Sequence, residues 1–96
     1  AAKVPTKTGM TVIYATAEGK KLAESIIGAN TIMPSRGARA DDRSLAVPKY
    51  KNGTGVIVEV GFINSAADRQ KINQSSGEIG KEIASGIAAY IRSRGK

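Results

Sequence analysis

The chain contains no cysteine, no histidine and no tryptophan, and the first two absences remove much of the usual chemistry of active sites. Without cysteine there is no disulfide to staple the fold and no thiolate nucleophile, and the redox compartment stays undetermined. Without histidine there is no Ser-His-Asp triad, no Cys-His pair and no conventional zinc set within the chain. Neither a G-x-x-x-x-G-K-[ST] phosphate loop nor a G-x-G-x-x-G fingerprint occurs. Tyr14, Tyr50, Phe62 and Tyr90 are the only aromatics, so the core has to be built from Val, Ile, Leu and Ala. No apolar run approaches the length of a membrane span, and the opening Ala1-Ala2-Lys3-Val4-Pro5 does not read as a signal peptide.

What is present fits one small domain. With 96 residues and 41% hydrophobic content, the chain can bury a single core, and no repeat, low-complexity segment or linker divides residues 1–96. The start without Met is read as the mark of a processed, excised or partial product. Fifteen basic against 8 acidic residues give a net charge of +7, which implies attraction to polyanions without choosing among them. Stacking aromatics interleaved with a basic face are missing, as is a reading helix, so nucleic acid is not expected as a partner. Basic residues are spread from Lys3 to Lys96, as on a solvated surface.

Along the chain, residues 10–16 read as a strand entered after the Pro5 and Gly9 breakers. Thr16 can cap a helix over about 17–28, whose Leu22, Ala23, Ile26 and Ile27 share one face. Residues 31–42, with Pro34, Gly37 and alternating charges, read as an ordered loop. Residues 44–47 form a short strand candidate closed by Pro48, and Asn52-Gly53 with Gly55 marks a turn. Two helices are expected to finish the chain. Ser65 with Asp68 starts a short one through Ile72, and Ser75 with Glu78 starts a longer one. In the second, Ile79, Ile83, Ala84, Ile87, Tyr90 and Ile91 form a stripe read as core. Gly77, Gly80 and Gly86 weaken that helix and are read as allowing close approach to the sheet. Strands alternating with helices point to an α/β fold: a small, mostly parallel sheet covered by helices.

The segment Gly55-Val56-Ile57-Val58-Glu59-Val60-Gly61-Phe62-Ile63-Asn64-Ser65 stands out, because it sets one carboxylate inside a β-branched run that reads as a strand buried on both faces. Removing an ionised carboxylate from water costs several kcal/mol unless it is paired, metal-bound or open to a cleft, which places Glu59 at the strand's end facing a polar site. Gly61 then lets a substrate or another chain approach the backbone. An ordinary strand-end ion pair explains the same pattern. A second carboxylate for hydrolysis could come from Asp41, Asp42 or Glu18, and nothing in the spacing selects one.

The order of these segments resembles the C-terminal half of the zinc-dependent N-acetylmuramoyl-L-alanine amidases of bacteria and phage endolysins. The matching pieces are the strand from Gly9 to Tyr14, the Gly19-Lys20-Lys21-Leu22-Ala23 helix start, Ser35-Arg36-Gly37-Ala38, Leu45-Ala46-Val47, the segment from Val56 to Ser65, Ala67-Asp68, and the terminal helix from Ile83 to Ile91. The resemblance implies a partial amidase fold lacking its N-terminal strands, and hydrolysis of the amide between N-acetylmuramic acid and L-alanine in peptidoglycan. It implies Glu59 as general base and acid beside a zinc-bound water, and gives Arg36 a loop-anchoring or substrate-side role. Zinc is expected in the complete domain and not in this chain alone, since the family's two histidine ligands and its ligand glutamate precede the part that matches. Pro48 to Gly55 departs from the family pattern.

The resemblance places the work at the bacterial cell envelope, secreted or delivered by phage to the wall. It leaves self-association, or pairing with an N-terminal half, as the expected answer to an open sheet edge. The alternative is a non-catalytic basic scaffold that binds anionic cell-wall polymer or a protein partner.

Overall fold

The computed structural model describes residues 7–42, 47 and 53–94. Strand β1 (Met10–Tyr14) is followed by helix α1 (Ala17–Ala29), strand β2 (Ser35–Ala40), strand β3 (Val56–Glu59) and helix α2 (Ala66–Arg94). The sheet runs in the order β2-β1-β3, with β1 parallel to β2 and antiparallel to β3. It is therefore a mixed sheet rather than a mostly parallel one. The β1-α1-β2 unit is a helical crossover, which brings a strand back in the same direction, whereas no helix among the described residues separates β2 from β3.

Central placement explains why β1 is the most enclosed strand, with Met10, Thr11, Val12 and Ile13 all buried. Met10 and Val12 look toward the helices. Val12 packs with Leu22, Ala23, Ile26 and Tyr90 in one cluster, and Met10 packs with Met33 and Ile79 in another. The run Val56–Glu59, expected to be buried on both faces, is half-buried throughout, because β3 lies at the edge of the described sheet and has a strand neighbour on one side only.

Thr16 caps α1 as its sequence position predicts, its Oγ1 accepting the Gly19 amide at 2.9 Å. Residues 35–40, expected as loop, are strand β2. Ser-Arg-Gly-Ala-Arg-Ala lacks any apolar alternation, so its conformation comes from the hydrogen-bonding edge that β1 offers rather than from propensity. Of the strand expected over 44–47, only Val47 falls within the described residues, where it is buried.

The two expected C-terminal helices run on as α2, with a kink at Ser75 (φ −132°, ψ 24°), in a Ser-Ser-Gly sequence of the kind that bends helices. Ile79 and Tyr90 are core, but Ile87 and Ile91 are 39% and 59% exposed, so the apolar stripe is only partly covered. Close approach by a glycine occurs at Gly86, and the neighbour is α1 rather than the sheet. A Cβ there would lie 2.6 Å from the Ile26 Cα, and Ser25 Oγ donates to the Gly86 carbonyl at 2.7 Å. Gly77 and Gly80 have nothing within 4 Å.

Candidate active site

Glu59 closes β3 opposite Thr11 of β1. Because Val12 and Val58 form the next rung and both pack toward the helices, the alternation of strand side chains sends Thr11 and Glu59 to the opposite face of the sheet. Glu59 is half-buried and does not lie among the core side chains, which resolves the cost of setting a carboxylate in a β-branched strand.

On its other side, β1 meets an irregularity. Met10 pairs with Ser35 and Val12 with Ala38, so Thr11 alone faces both Arg36 and Gly37. Such a bulge re-aims side chains and is common beside functional sites. Gly37 takes φ +82° here, a left-handed conformation that glycine adopts without strain. Arg36 and Glu59 thus flank the same β1 residue from opposite sides, their backbones two strand spacings, roughly 10 Å, apart.

Beyond β3 the chain turns back across the start of β1. Asp68, 1% exposed, accepts the Gly9 amide at 2.9 Å and the Phe62 amide at 2.8 Å on one oxygen, Oδ2. Its own amide donates to Ser65 Oγ at 3.0 Å, so the expected helix cap forms while the acid reaches outward. One buried carboxylate ties the entry to β1, the exit from β3 and the first turn of α2. Gly61 packs closely beneath it: a Cβ there would sit 3.0 Å from Oδ2, so Asp68 would have to give by a few tenths of an ångström. Gly9, at φ +104°, has its missing Cβ position against the Pro34 carbonyl, and Met10 donates to that carbonyl at 2.7 Å.

Phe62 contributes its ring as well as its amide. The Arg36 guanidinium lies over it, 5.2 Å from the centroid. Among the described residues no hydrogen bond or ion pair engages that guanidinium, and its Nε is buried without an acceptor, a state that costs about 1–3 kcal/mol. A concavity of about 260 Å³ opens beside Phe62, lined by Gly61, Phe62, Ile63, Arg69, Ile72 and Asn73. Its edge carries Ile63, 82% exposed.

None of the proposed second carboxylates joins Glu59. The Asp41 amide is bonded to the Tyr14 carbonyl, three residues along β1 from Thr11 and so about 10 Å away. Asp42 is exposed near Arg39. Glu18 takes the Tyr90 hydroxyl at 2.6 Å and Lys21 at 3.2 Å, with the Tyr90 bond holding its carboxyl below the usual range. Sequence reasoning singled out Glu59 and Arg36 as candidates, and read Asp68 as a helix cap and family-matching position and Phe62 as a motif position. A zinc centre does not fit the donors of this chain alone. It has no His or Cys, and among the described residues no three Asp or Glu side chains converge.

A model of the N-acetylmuramoyl-L-alanine amidase family matches residues 1–89. The solved catalytic domain of the CD27L endolysin targeting Clostridia Difficile superposes with a TM-score of 0.76 and 28% identity, covering 88% of this chain and 47% of that one. This chain spans about half the length of that solved domain. A comparison with curated proteins gives no significant match. The family match over 1–89 and the likeness to an endolysin catalytic domain agree, and the chain belongs to the N-acetylmuramoyl-L-alanine amidase family.

Proposed function

We propose that residues 1–96 are the C-terminal portion of an amidase catalytic domain that hydrolyses the bond between N-acetylmuramic acid and L-alanine in peptidoglycan, with Glu59 as the proton-transferring residue. The observation that carries this reading is the position of Glu59: it ends β3 opposite Thr11, on the face away from the helices. A water attacks the scissile carbonyl carbon and gives its proton to the Glu59 carboxylate as the new C–O bond forms. Glu59 returns that proton to the amide nitrogen as the C–N bond breaks, so the carboxylate ends as it began. The Asp68 latch on the Gly9 and Phe62 amides holds the backbone on either side of this carboxylate in register. Zinc is expected for the family, and its ligands would lie outside this chain. The surface that Glu59 faces is read as the peptidoglycan side, at the bacterial wall.

The test replaces Glu59 by Gln in an amidase joining this chain to the family's zinc-ligating half. Turnover should fall on the order of 100 to 10,000-fold, the contribution of general acid-base assistance, while melting temperature and bound zinc stay as in the parent. An ordinary ion-pair role gives the reverse pattern, a shift of about 1 kcal/mol or less in stability with turnover retained. That result would favour the non-catalytic scaffold.

A further inference from the structure

From the Arg36–Phe62 pair we infer a carboxylate receptor, which takes an acidic group on the peptide side of the scissile amide. The inference rests on the amidase reading for the identity of the ligand, and on geometry for its place.

Three observations converge on Arg36. The bulge sets Arg36 and Gly37 against the single residue Thr11, whose other neighbour is Glu59, so the arginine is aimed at the rung that carries the acid. The guanidinium lies over the Phe62 ring at 5.2 Å, and a planar cation held on an aromatic face has its donor fork pre-oriented. Finally, among the described residues no carboxylate or carbonyl takes up that fork, and the buried Nε lacks an acceptor. An arginine that anchored its own loop would be bonded to it. This one is positioned by stacking, with its hydrogen-bonding capacity left for something else.

The geometry favours a carboxylate as that something. A guanidinium matches two carboxylate oxygens with two parallel, charge-assisted N–H···O bonds, whereas an amide or hydroxyl offers a single, neutral oxygen.

Binding to the chain itself provides the test, independent of turnover. The probe is a short N-acetyl-L-alanyl peptide with one free carboxylate, titrated while the Arg36 Nε–H and Phe62 amide signals are followed by NMR. The same peptide with that carboxylate capped as an amide, and inorganic phosphate, serve as comparisons. The free-carboxylate peptide should shift both signals saturably, with binding weakened roughly tenfold or more by capping or by Arg36→Lys, the loss expected for a charge-assisted bidentate pair. Phe62→Leu, which keeps an apolar side chain but no π face, should weaken it less. Circular dichroism checks that each variant keeps its fold.

Equal binding of the capped peptide, equal affinity for phosphate, an unaffected Arg36→Lys variant, or no saturable shift in the parent chain would each overturn the receptor. Carboxylate binding together with full turnover in Glu59→Gln would retire the catalytic reading and leave the receptor standing. The opposite pair of results would do the converse.

Discussion

The two ends of β1 differ in a way that cavity size does not reveal. At the Tyr14 end, a concavity of about 270 Å³ is bordered by Tyr14, Thr16, Lys20 and Asp41. At the Thr11 end, the concavity beside Phe62 is about 260 Å³. The volumes are nearly equal, but the polar groups are employed differently. Near Tyr14 they serve the fold: Thr16 caps α1, the Asp41 amide bonds the Tyr14 carbonyl, and Glu18 is bonded to Tyr90 and Lys21. Near Thr11, a buried carboxylate shares one oxygen between two backbone amides, an arginine stacks with its Nε lacking an acceptor, and Gly9 stands where no Cβ fits. We read the Thr11 end as the reacting one, because there a stacked arginine keeps hydrogen-bonding capacity that the fold does not use.

The largest expected effect on stability comes from removing the latch at the Thr11 end. Asp68→Ala leaves the Gly9 and Phe62 amides without their acceptor, at about 1–3 kcal/mol for each buried donor. Urea unfolding reads the loss, and hydrogen exchange locates it at those two amides while the α1 amides stay protected. Asp68→Asn, which keeps a carbonyl oxygen, should lose less. An unchanged unfolding midpoint in Asp68→Ala would dissolve the contrast between the two ends.

A smaller effect is expected where the helices meet. Gly86→Val puts a side chain against the Ile26 backbone, and overpacking of this kind costs typically about 1–3 kcal/mol. Gly80→Ala, with nothing within 4 Å, should instead stabilise by up to about 1 kcal/mol through helix propensity. Thermal melts of the two variants should move in opposite directions. Equal shifts would mean that α1 and α2 are not seated as closely as the Ser25 to Gly86 bond implies.

The smallest effect is a pH dependence. Glu82 accepts the Thr31 hydroxyl and amide and the Ile32 amide, and these bonds, the hydroxyl first, lower its pKa from the ordinary 4.5. The folded chain therefore binds fewer protons than the unfolded one in this range. The Glu82 contribution is full above about 4.5 and is lost as the pH falls through the lower folded value. Glu82→Gln should flatten that part of the stability profile, with its loss of stability fully present at neutral pH and vanishing as the pH falls below the folded value. A variant profile parallel to the parent's would remove Glu82 as the source.

These tests also show which features were open to a reader of the sequence. Thr16 and Ser65 are local signals, written within three or four residues and recovered in the structure, and the helix start read at Ser75 falls where α2 kinks. Glu59 was legible because a charge interrupts a β-branched run. Strand β2 was not, since its hexapeptide has no strand pattern and acquires its conformation from β1. The Asp68 latch was hidden by distance: its Gly9 bond spans 59 positions, and the residue already had a sufficient local explanation as a helix cap. Ile87 and Ile91 look like core in a helical projection. In the structure α2 turns Gly86 and Tyr90 toward α1 and leaves Ile87 and Ile91 exposed, a choice that periodicity within α2 does not encode.

The contrast between the ends is tested most directly by measuring amide-bond turnover for Glu59→Gln and Lys20→Ala side by side, in the amidase joining this chain to the zinc-ligating half. Glu59→Gln should lose on the order of 100 to 10,000-fold in turnover, and Lys20→Ala, at the Tyr14 concavity, should retain the parent rate. Full turnover in Glu59→Gln with loss in Lys20→Ala would put the reaction at the other end of the sheet and contradict the account.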